Sequence, residues 1–304
     1  MLAIPNFSEG RDQARIDALA AASLTSPGVR LLATHTDPDH HRTVLTLTGP
    51  QGSLHEALVQ AAAVAVEQID LSRHDGIHPR IGAIDVAPIV YLDDRERGAA
   101  CAEALTLAAR LGEELGLPVF LYGPLTQNRM TRADIRRGGP QNLGARIAAG
   151  ELRPDFGPRD RLHPTAGAVM VAARPPLIAF NVELAPPATV DDAKRIAALI
   201  RDGGPEGLPT LRAIGLELQH RAGVAQISTN IDDHRALPVA AVIGAIRRHA
   251  QPLEAELVGL APRLAFEGFP QDLRVRNLRY VEDALAVDGS GPEGAGHGRP
   301  APSV

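Results

Sequence analysis

The sequence has little of several residue types that often define a site. Its 304 residues include one cysteine, one lysine and no tryptophan. A single cysteine, Cys101, cannot form a disulfide within the chain, and it excludes a metal site built from several thiolates. We therefore expect a reducing compartment, and specifically the cytoplasm.

Long apolar runs and an excess of positive charge are also missing. No segment approaches the ~20 apolar residues that span a bilayer, and the amino terminus has neither a charged leader nor an apolar run. A net charge of -5 and a pI near 6.1 give no electrostatic reason to bind nucleic acid. The sequence thus predicts no membrane partner and no nucleic-acid partner.

Apolar periodicity predicts short strands that alternate with amphipathic helices. This order indicates an α+β fold of two α/β subdomains with mixed β-sheets. We expect helices to cover one face of each sheet, and the two sheets could pack on each other. We place the first subdomain at residues 1–175, the second at 176–287 and a disordered tail, rich in Gly and Pro, at 288–304.

Three local predictions bear on the site. Residues 35–41, HTDPDHH, are expected to form a polar loop between strands at Val29–Ala33 and Thr43–Thr48. Residues 136–151 are expected to be helical only in part. Leu273–Ala286 is expected to be one helix.

The first polar loop offers metal-ligand types at an unsuitable spacing. Its nitrogen and oxygen donors are His35, Asp37, Asp39, His40 and His41. Metal sites usually place their ligands at fixed intervals on one element, whereas Pro38 and an extended loop would scatter these side chains. We expect no metal here, and the aspartates can instead stabilise turns.

A second loop, SRHDGIHPR, contains the most restrained histidine. Pro79 disfavours helical backbone at His78, so the chain itself limits where this imidazole lies. Its ordinary pKa near neutrality makes His78 a candidate proton-transfer group. The alternative is a histidine held by the backbone or by Asp75.

A third loop, PDFGPRDRLHPTAG, occupies residues 154–167. Its arginines could supply cations for carboxylates around a flat ligand, and it could equally be a solvated surface crossover. No P-loop or G-x-S-x-G element is present, so P-loop nucleotide binding and serine hydrolase chemistry lose their usual support.

Short segments recur in a specific order along most of the chain. They are IPNFSEG at 4–10, DPDHHRTV at 37–44, HDGIHPRIGAIDV at 74–86, LYG at 121–123, PDFGP at 154–158, PTAGA at 164–168, LIAFNV at 177–182, AQISTN at 225–230 and ELVGL at 256–260. Together they resemble the formiminotransferase domain of the glutamate formiminotransferase family. The cyclodeaminase domain that some relatives carry is not expected.

The resemblance implies an enzyme that transfers a formimino group from N-formimino-L-glutamate to the co-substrate tetrahydrofolate, within one-carbon metabolism and histidine degradation. It implies two subdomains whose sheets face each other with helices on the outer faces, and it implies a homodimer. It assigns the catalytic role to His78. It also implies a folate-binding stretch at Gly157, Pro158, Arg159, Asp160, Arg161, Leu162, His163, Pro164, Thr165, Ala166 and Gly167.

Four further residues are candidates for substrate binding. Arg42 and Arg80 would orient the carboxylates of glutamate and folate. Asn6 lies in one of the matching segments, and Asp39 would hold the cationic amidine. Two alternatives stay open, namely a related folate-dependent transferase with another formimino or formyl donor, and a non-catalytic folate-binding protein.

Overall fold

The computed structural model describes residues 1–221 and 223–287. The tail predicted at 288–304 lies outside the described residues. Within them, the chain forms two β-sheets, each with its own helices. No helix in this part of the chain is both long enough and apolar enough to span a bilayer.

The first sheet is mixed and has seven strands. They are β1 (Leu2–Ala3), β2 (Asn6–Phe7), β3 (Arg30–Asp37), β4 (Arg42–Thr48), β5 (Ile84–Val90), β6 (Val119–Leu121) and β7 (Val169–Arg174). β4 pairs antiparallel with β3 on one side and with β1 and β2 on the other. β5 follows β1 and β2, and β5, β7 and β6 are parallel.

A proline divides the amino-terminal strand into β1 and β2. Both pieces lie between β4 and β5, and the pairing with β5 is interrupted between the pairs Ala3–Ile89 and Asn6–Val86. Pro5 has no N–H to donate to a ladder, and β5 carries Pro88 in the same gap.

Helices cover both faces of the first sheet. α1 (Gln13–Ser23), α2 (Leu54–Gln68) and α3 (Arg97–Glu114) pack on the outer face. The short helices α4 (Arg132–Arg136) and α5 (Gly139–Ala148) pack on the inner face, where Ile135 and Leu143 contact the cluster around Phe120 and Met170. Residues 136–151 are thus helical in part, as predicted, but they do not lie on an outer face.

The second sheet has five strands in the order β12-β11-β8-β10-β9. They are β8 (Ile178–Leu184), β9 (Leu211–Leu218), β10 (Val224–Ile231), β11 (Pro252–Val258) and β12 (Val275–Arg276), and every pair except β11–β12 is antiparallel. α6 (Val190–Ile200) and α7 (Val239–Arg247) cover the outer face, where they bury Phe180 and Val182. The alternate residues, Ala179 and Asn181, line a cavity between the sheets.

The inner faces of the two sheets enclose a cleft. Residues of β2, β4 and β5 line it from one side and residues of β8, β10 and β11 from the other. This confirms the predicted α+β fold with two subdomains. The chain passes from the first sheet to the second between Arg174 and Ile178.

The last helix, α8 (Val281–Ala286), returns to the first sheet and packs against β3. Val281 joins Leu2, Ala33 and Val90 in a small buried cluster. Arg30 also donates a hydrogen bond of 2.8 Å to the carbonyl of Val287.

Two local predictions were wrong. β3 continues to Asp37, so HTD belongs to a hairpin in which Asp37 pairs with Arg42, because the cross-strand pairing outweighs the polar composition. The helix predicted from Leu273 starts only at Val281. Val275 instead pairs with β11, and Asn277 has a left-handed φ of 59° that interrupts helical backbone.

Candidate active site

The cleft has two connected parts. The inner cavity lies between the sheets, and its space, including the open mouth, is about 840 Å³. The outer cavity, about 1900 Å³ on the same basis, extends towards α4 and β9. His78, Tyr122 and Arg174 line both parts. The histidine predicted to be catalytic therefore lies where the two parts meet.

The β3–β4 hairpin turn and the His78 loop hold each other in place. His41 has a left-handed φ of 48°, its Nδ1 accepts from the N–H of Gly10 at 3.0 Å, and its ring stacks on His74 at 4.2 Å. A Cβ at Gly76 would lie 2.5 Å from the carbonyl oxygen of His40, so only glycine permits this approach.

Arg80 organises the loop that carries His78. Its guanidinium donates to the carbonyls of His74 and Gly76, both at 2.6 Å, and to that of His78 at 3.2 Å. It lines neither the inner nor the outer cavity. In this arrangement Arg80 fixes the backbone below the imidazole.

His78 is partly buried and contacts Arg42. Nη1 of Arg42 lies 2.6 Å from Nε2 of His78 and 3.2 Å from Nδ1. A guanidinium only donates, so the ring nitrogen accepts and the imidazole is neutral. Burial lowers the pKa of His78 well below its ordinary value, and the charges of Arg42 and Arg136 lower it further. His78 therefore stands as a free base at neutral pH.

Buried guanidinium groups give the cleft an excess of positive charge. The Nε atoms of Arg42, Arg136 and Arg174 are buried and have no hydrogen-bond partner among the described residues. Arg136 pairs with Asp85, whereas Arg42 and Arg174 form no ion pair within residues 1–221 and 223–287. Burial lowers the pKa of Arg42 to about 9, which leaves it protonated at neutral pH. Such a cleft favours anionic ligands.

The structure brings some of the predicted residues together and not others. Asn6 is 6% exposed and lines the inner cavity with Arg42 and His78. Asp39 is buried and lines neither the inner nor the outer cavity.

The predicted folate-binding stretch lies outside the lining of both cavities. It packs behind the His78 loop, where Gly167 forms a bridge with Gly82 and the carbonyl of Thr165 accepts from the N–H of Leu71. Arg159 and Arg161 are exposed.

Sequence reasoning missed several lining residues. Arg132 and Arg174 line both cavities, as do Ser228 and Asn230, and Asn181 lines the inner one. A signal was available for the last three, because each belongs to a series of polar residues at a period of two in β8 or β10. Arg174 ends the parallel strand β7, a position where functional side chains collect in α/β sheets.

In the described part of the chain, no group of three or more His, Cys, Asp or Glu side chains is arranged to hold a metal ion. The cleft instead combines two facing sheets, a neutral imidazole and buried guanidinium groups. This arrangement suits acid–base chemistry on anionic small molecules.

Comparison with known proteins identifies the family. A family model described as the N-terminal subdomain of the formiminotransferase domain matches residues 1–174, and one described as the formiminotransferase domain matches residues 179–266. The chain belongs to the formiminotransferase family, and the predicted family is confirmed.

Relatives include proteins of similar length and longer ones. The chain is 38% identical to a glutamate formimidoyltransferase of Streptococcus pyogenes serotype M1 over 93% of this chain and 96% of that protein. It is 36% identical to a glutamate formimidoyltransferase of Thermoplasma acidophilum over 86% of this chain and 88% of that protein. It is 38% identical to a formimidoyltransferase-cyclodeaminase of Mus musculus, of which it spans 49%.

Proposed function

We propose that the protein is a glutamate formimidoyltransferase. It transfers the formimino group of N-formimino-L-glutamate to tetrahydrofolate and gives 5-formiminotetrahydrofolate and L-glutamate. The observation that carries this proposal is the position of His78, a neutral imidazole on the line where two cavities meet. Family membership and the names of the relatives above support it.

The chemistry needs a base at this junction. N5 of tetrahydrofolate is a secondary amine that loses its proton as it attacks the formimino carbon, and the glutamate nitrogen gains a proton as it leaves. The neutral ring of His78 can accept the first proton without prior deprotonation. Such proton transfer typically contributes ~10² to 10⁴ in rate.

The charges of the cleft suggest where each substrate binds. The inner cavity is smaller and contains Arg42 and Arg174 with unused Nε donors, which suits the two carboxylates of formiminoglutamate. The larger outer cavity, with Tyr122 and Met130, suits the pterin. A substrate carboxylate that binds Arg42 draws the guanidinium away from His78 and frees the ring nitrogen.

The stretch from Gly157 to Gly167 enters the proposal through the resemblance alone. Since it lies outside the cavity lining, we assign it to the glutamate tail of folate, with Arg159 and Arg161 as exposed cations. Changing both arginines to alanine is then expected to raise the KM for tetrahydrofolate and leave kcat unchanged. An unchanged KM would remove this stretch from the folate site.

The proposal is tested by turnover and by one substitution. Purified protein is incubated with tetrahydrofolate and formiminoglutamate, and the product is converted by acid to the absorbing methenyl form. His78→Ala is expected to bind folate normally and to react at least about 100-fold more slowly, because the base is lost. Equal rates for the two proteins would refute the role of His78.

The same assay distinguishes the alternatives. Turnover with another formimino or formyl donor, and none with formiminoglutamate, favours a related transferase. Folate binding without turnover of any donor favours a binding protein. We also propose a cytoplasmic location and, as the family resemblance implies, a homodimer. A monomeric mass in sedimentation velocity would contradict the dimer.

A further inference from the structure

His40 is a buried imidazole for which the reaction above has no use. It lies in the β3–β4 turn, is 5% exposed, and lines the inner cavity. Its Nε2 is buried and has no hydrogen-bond partner among the described residues. A buried ring nitrogen without a partner is costly, so we look for a ligand atom that completes the contact.

Asp37 holds the other side of this ring. Nδ1 of His40 lies 2.6 Å from Oδ2 of Asp37, and the backbone N–H of His40 donates to Oδ1 at 2.9 Å. Burial alone would raise the pKa of Asp37, but the hydrogen bonds from His40 outweigh it and lower the pKa to about 2. The ionised carboxylate therefore accepts Nδ1–H and leaves Nε2 as the atom that exchanges protons.

The two histidines differ in what surrounds them. Their rings are edge-on with centroids 5.8 Å apart, and His78 lines both cavities whereas His40 lines the inner cavity and not the outer. Arg42 disfavours a positive charge on His78. Oδ2 of Asp37 instead lies 2.6 Å from Nδ1 of His40, as the carboxylate of a catalytic triad lies beside its histidine.

The reaction moves protons at two different nitrogens. In the substrate arrangement proposed above, the pterin N5 approaches from the outer cavity and the glutamate nitrogen departs in the inner cavity. His78 lines both cavities, and His40 lines the inner one. A single histidine would have to serve both nitrogens in turn. Two histidines would divide the two proton transfers between them.

We propose that His40 is a second catalytic residue, the general acid that protonates the departing glutamate nitrogen, and that Asp37 is its positioning residue. This inference rests on the proposed formimidoyltransferase function. The bond from N5 to the formimino carbon forms and the N5 proton passes to His78. The bond from that carbon to the glutamate nitrogen breaks, and the nitrogen keeps the electron pair and takes the proton from Nε2 of His40. Return of one proton from His78 to His40 restores both rings before the next turnover.

The test uses a variant that keeps the contact with Asp37. In His40→Asn, the side-chain amide can still donate to Asp37 but has no atom in place of Nε2. Its kcat is expected to fall by roughly 100-fold with KM for both substrates nearly unchanged. In His40→Ala, added imidazole is expected to restore part of the lost rate.

His249 provides a matched control. This partly buried histidine also contacts a carboxylate, with its Nε2 2.9 Å from Oε1 of Glu206. It lines neither cavity. His249→Ala should keep the wild-type kcat and show no response to imidazole.

The failures of the two proposals look different. If the wild type turns over and His40→Asn keeps its kcat, the role of His40 is refuted and the proposed function stands. If His40→Asn has both a lower activity and a lower melting temperature, and imidazole does not raise the rate of His40→Ala, the role is structural and the proposal is refuted. If the wild type has no activity with formiminoglutamate, both proposals fall.

Discussion

At the scale of single residues, the contact between Arg42 and His78 governs the ionisation of the site. A buried cation 2.6 Å from a ring nitrogen keeps the imidazole neutral. It also occupies the lone pair that the reaction needs. We therefore propose that Arg42 both binds the substrate and controls the base. When a substrate carboxylate binds, Arg42 would exchange its contact with His78 for a contact with that carboxylate.

Removing this cation should change the pH dependence. Arg42→Gln removes a positive charge beside His78, so the pKa of His78 should rise, although burial still holds it below its ordinary value. The base form is required, so the acid limb of the kcat/KM profile should move to higher pH. The KM for formiminoglutamate should rise as well. Arg95→Gln, at an exposed arginine that lines neither cavity, is the control. An acid limb that stays in place in Arg42→Gln would contradict the prediction.

Residues of the site differ in how far the sequence could predict them. The sequence could place His78 at the cleft because its restraint is local, in the proline that follows it. It could not give the position of the Arg80 side chain, which turns back to three carbonyls of its own loop, because spacing does not give the direction of a long side chain. Arg174 and Asn181 enter the cleft only when two sheets face each other, which is a long-range property.

At the scale of elements, the glycine after the His78 loop fixes the distance between this loop and β7. A Cβ at Gly82 would lie 1.9 Å from the carbonyl oxygen of Ala168, a backbone atom that cannot turn aside. Gly82→Ala is expected to lower the free energy of unfolding by about 2 kcal/mol or more, and to lower kcat because the loop shifts. Urea unfolding and the turnover assay measure the two effects.

A glycine in open space supplies the matched substitution. Gly244 lies within α7, and a Cβ there would meet no atom within 4 Å. Gly244→Ala should raise the free energy of unfolding by ~0.5 to 1 kcal/mol, because alanine loses less backbone entropy in a helix. Equal effects at the two glycines would show that the approach of Gly82 to β7 is not a tight one.

Most elements were predictable because their periodicity is strong. The predicted ends of elements were less accurate where cross-strand pairing determines them. An example is β3, which extends three residues into a polar segment to pair with β4. It was also poorer for α4 and α5, whose apolar residues do not reveal which face of a sheet they cover. Periodicity shows that an element is amphipathic and leaves its partner open.

At the scale of the whole molecule, buried histidines should make the fold sensitive to acid. Burial lowers the pKa of His35 to about 4, below an unfolded value of about 6.5. Between these values the unfolded chain binds a proton that the folded chain does not, so stability falls as the pH falls through this range. The slope for one such histidine is at most about 1.4 kcal/mol per pH unit.

His35→Gln should remove this histidine's share of the slope. Urea midpoints of the variant and the wild type are compared at pH 8, 6 and 5, and the difference at pH 8 is the reference for packing changes. Relative to that reference, the variant should gain stability at pH 5. A difference that does not change with pH would mean that His35 takes up a proton in the folded state as readily as in the unfolded one.

The return of α8 to the first sheet has a mechanical consequence. The subdomains are joined both by the crossover after Arg174 and by Val281 in its cluster with Leu2 and Ala33. Two connections between the subdomains oppose a hinge motion that would open the cleft. Ligands would then enter a cleft whose width changes little, and movements during catalysis would be confined to side chains such as Arg42.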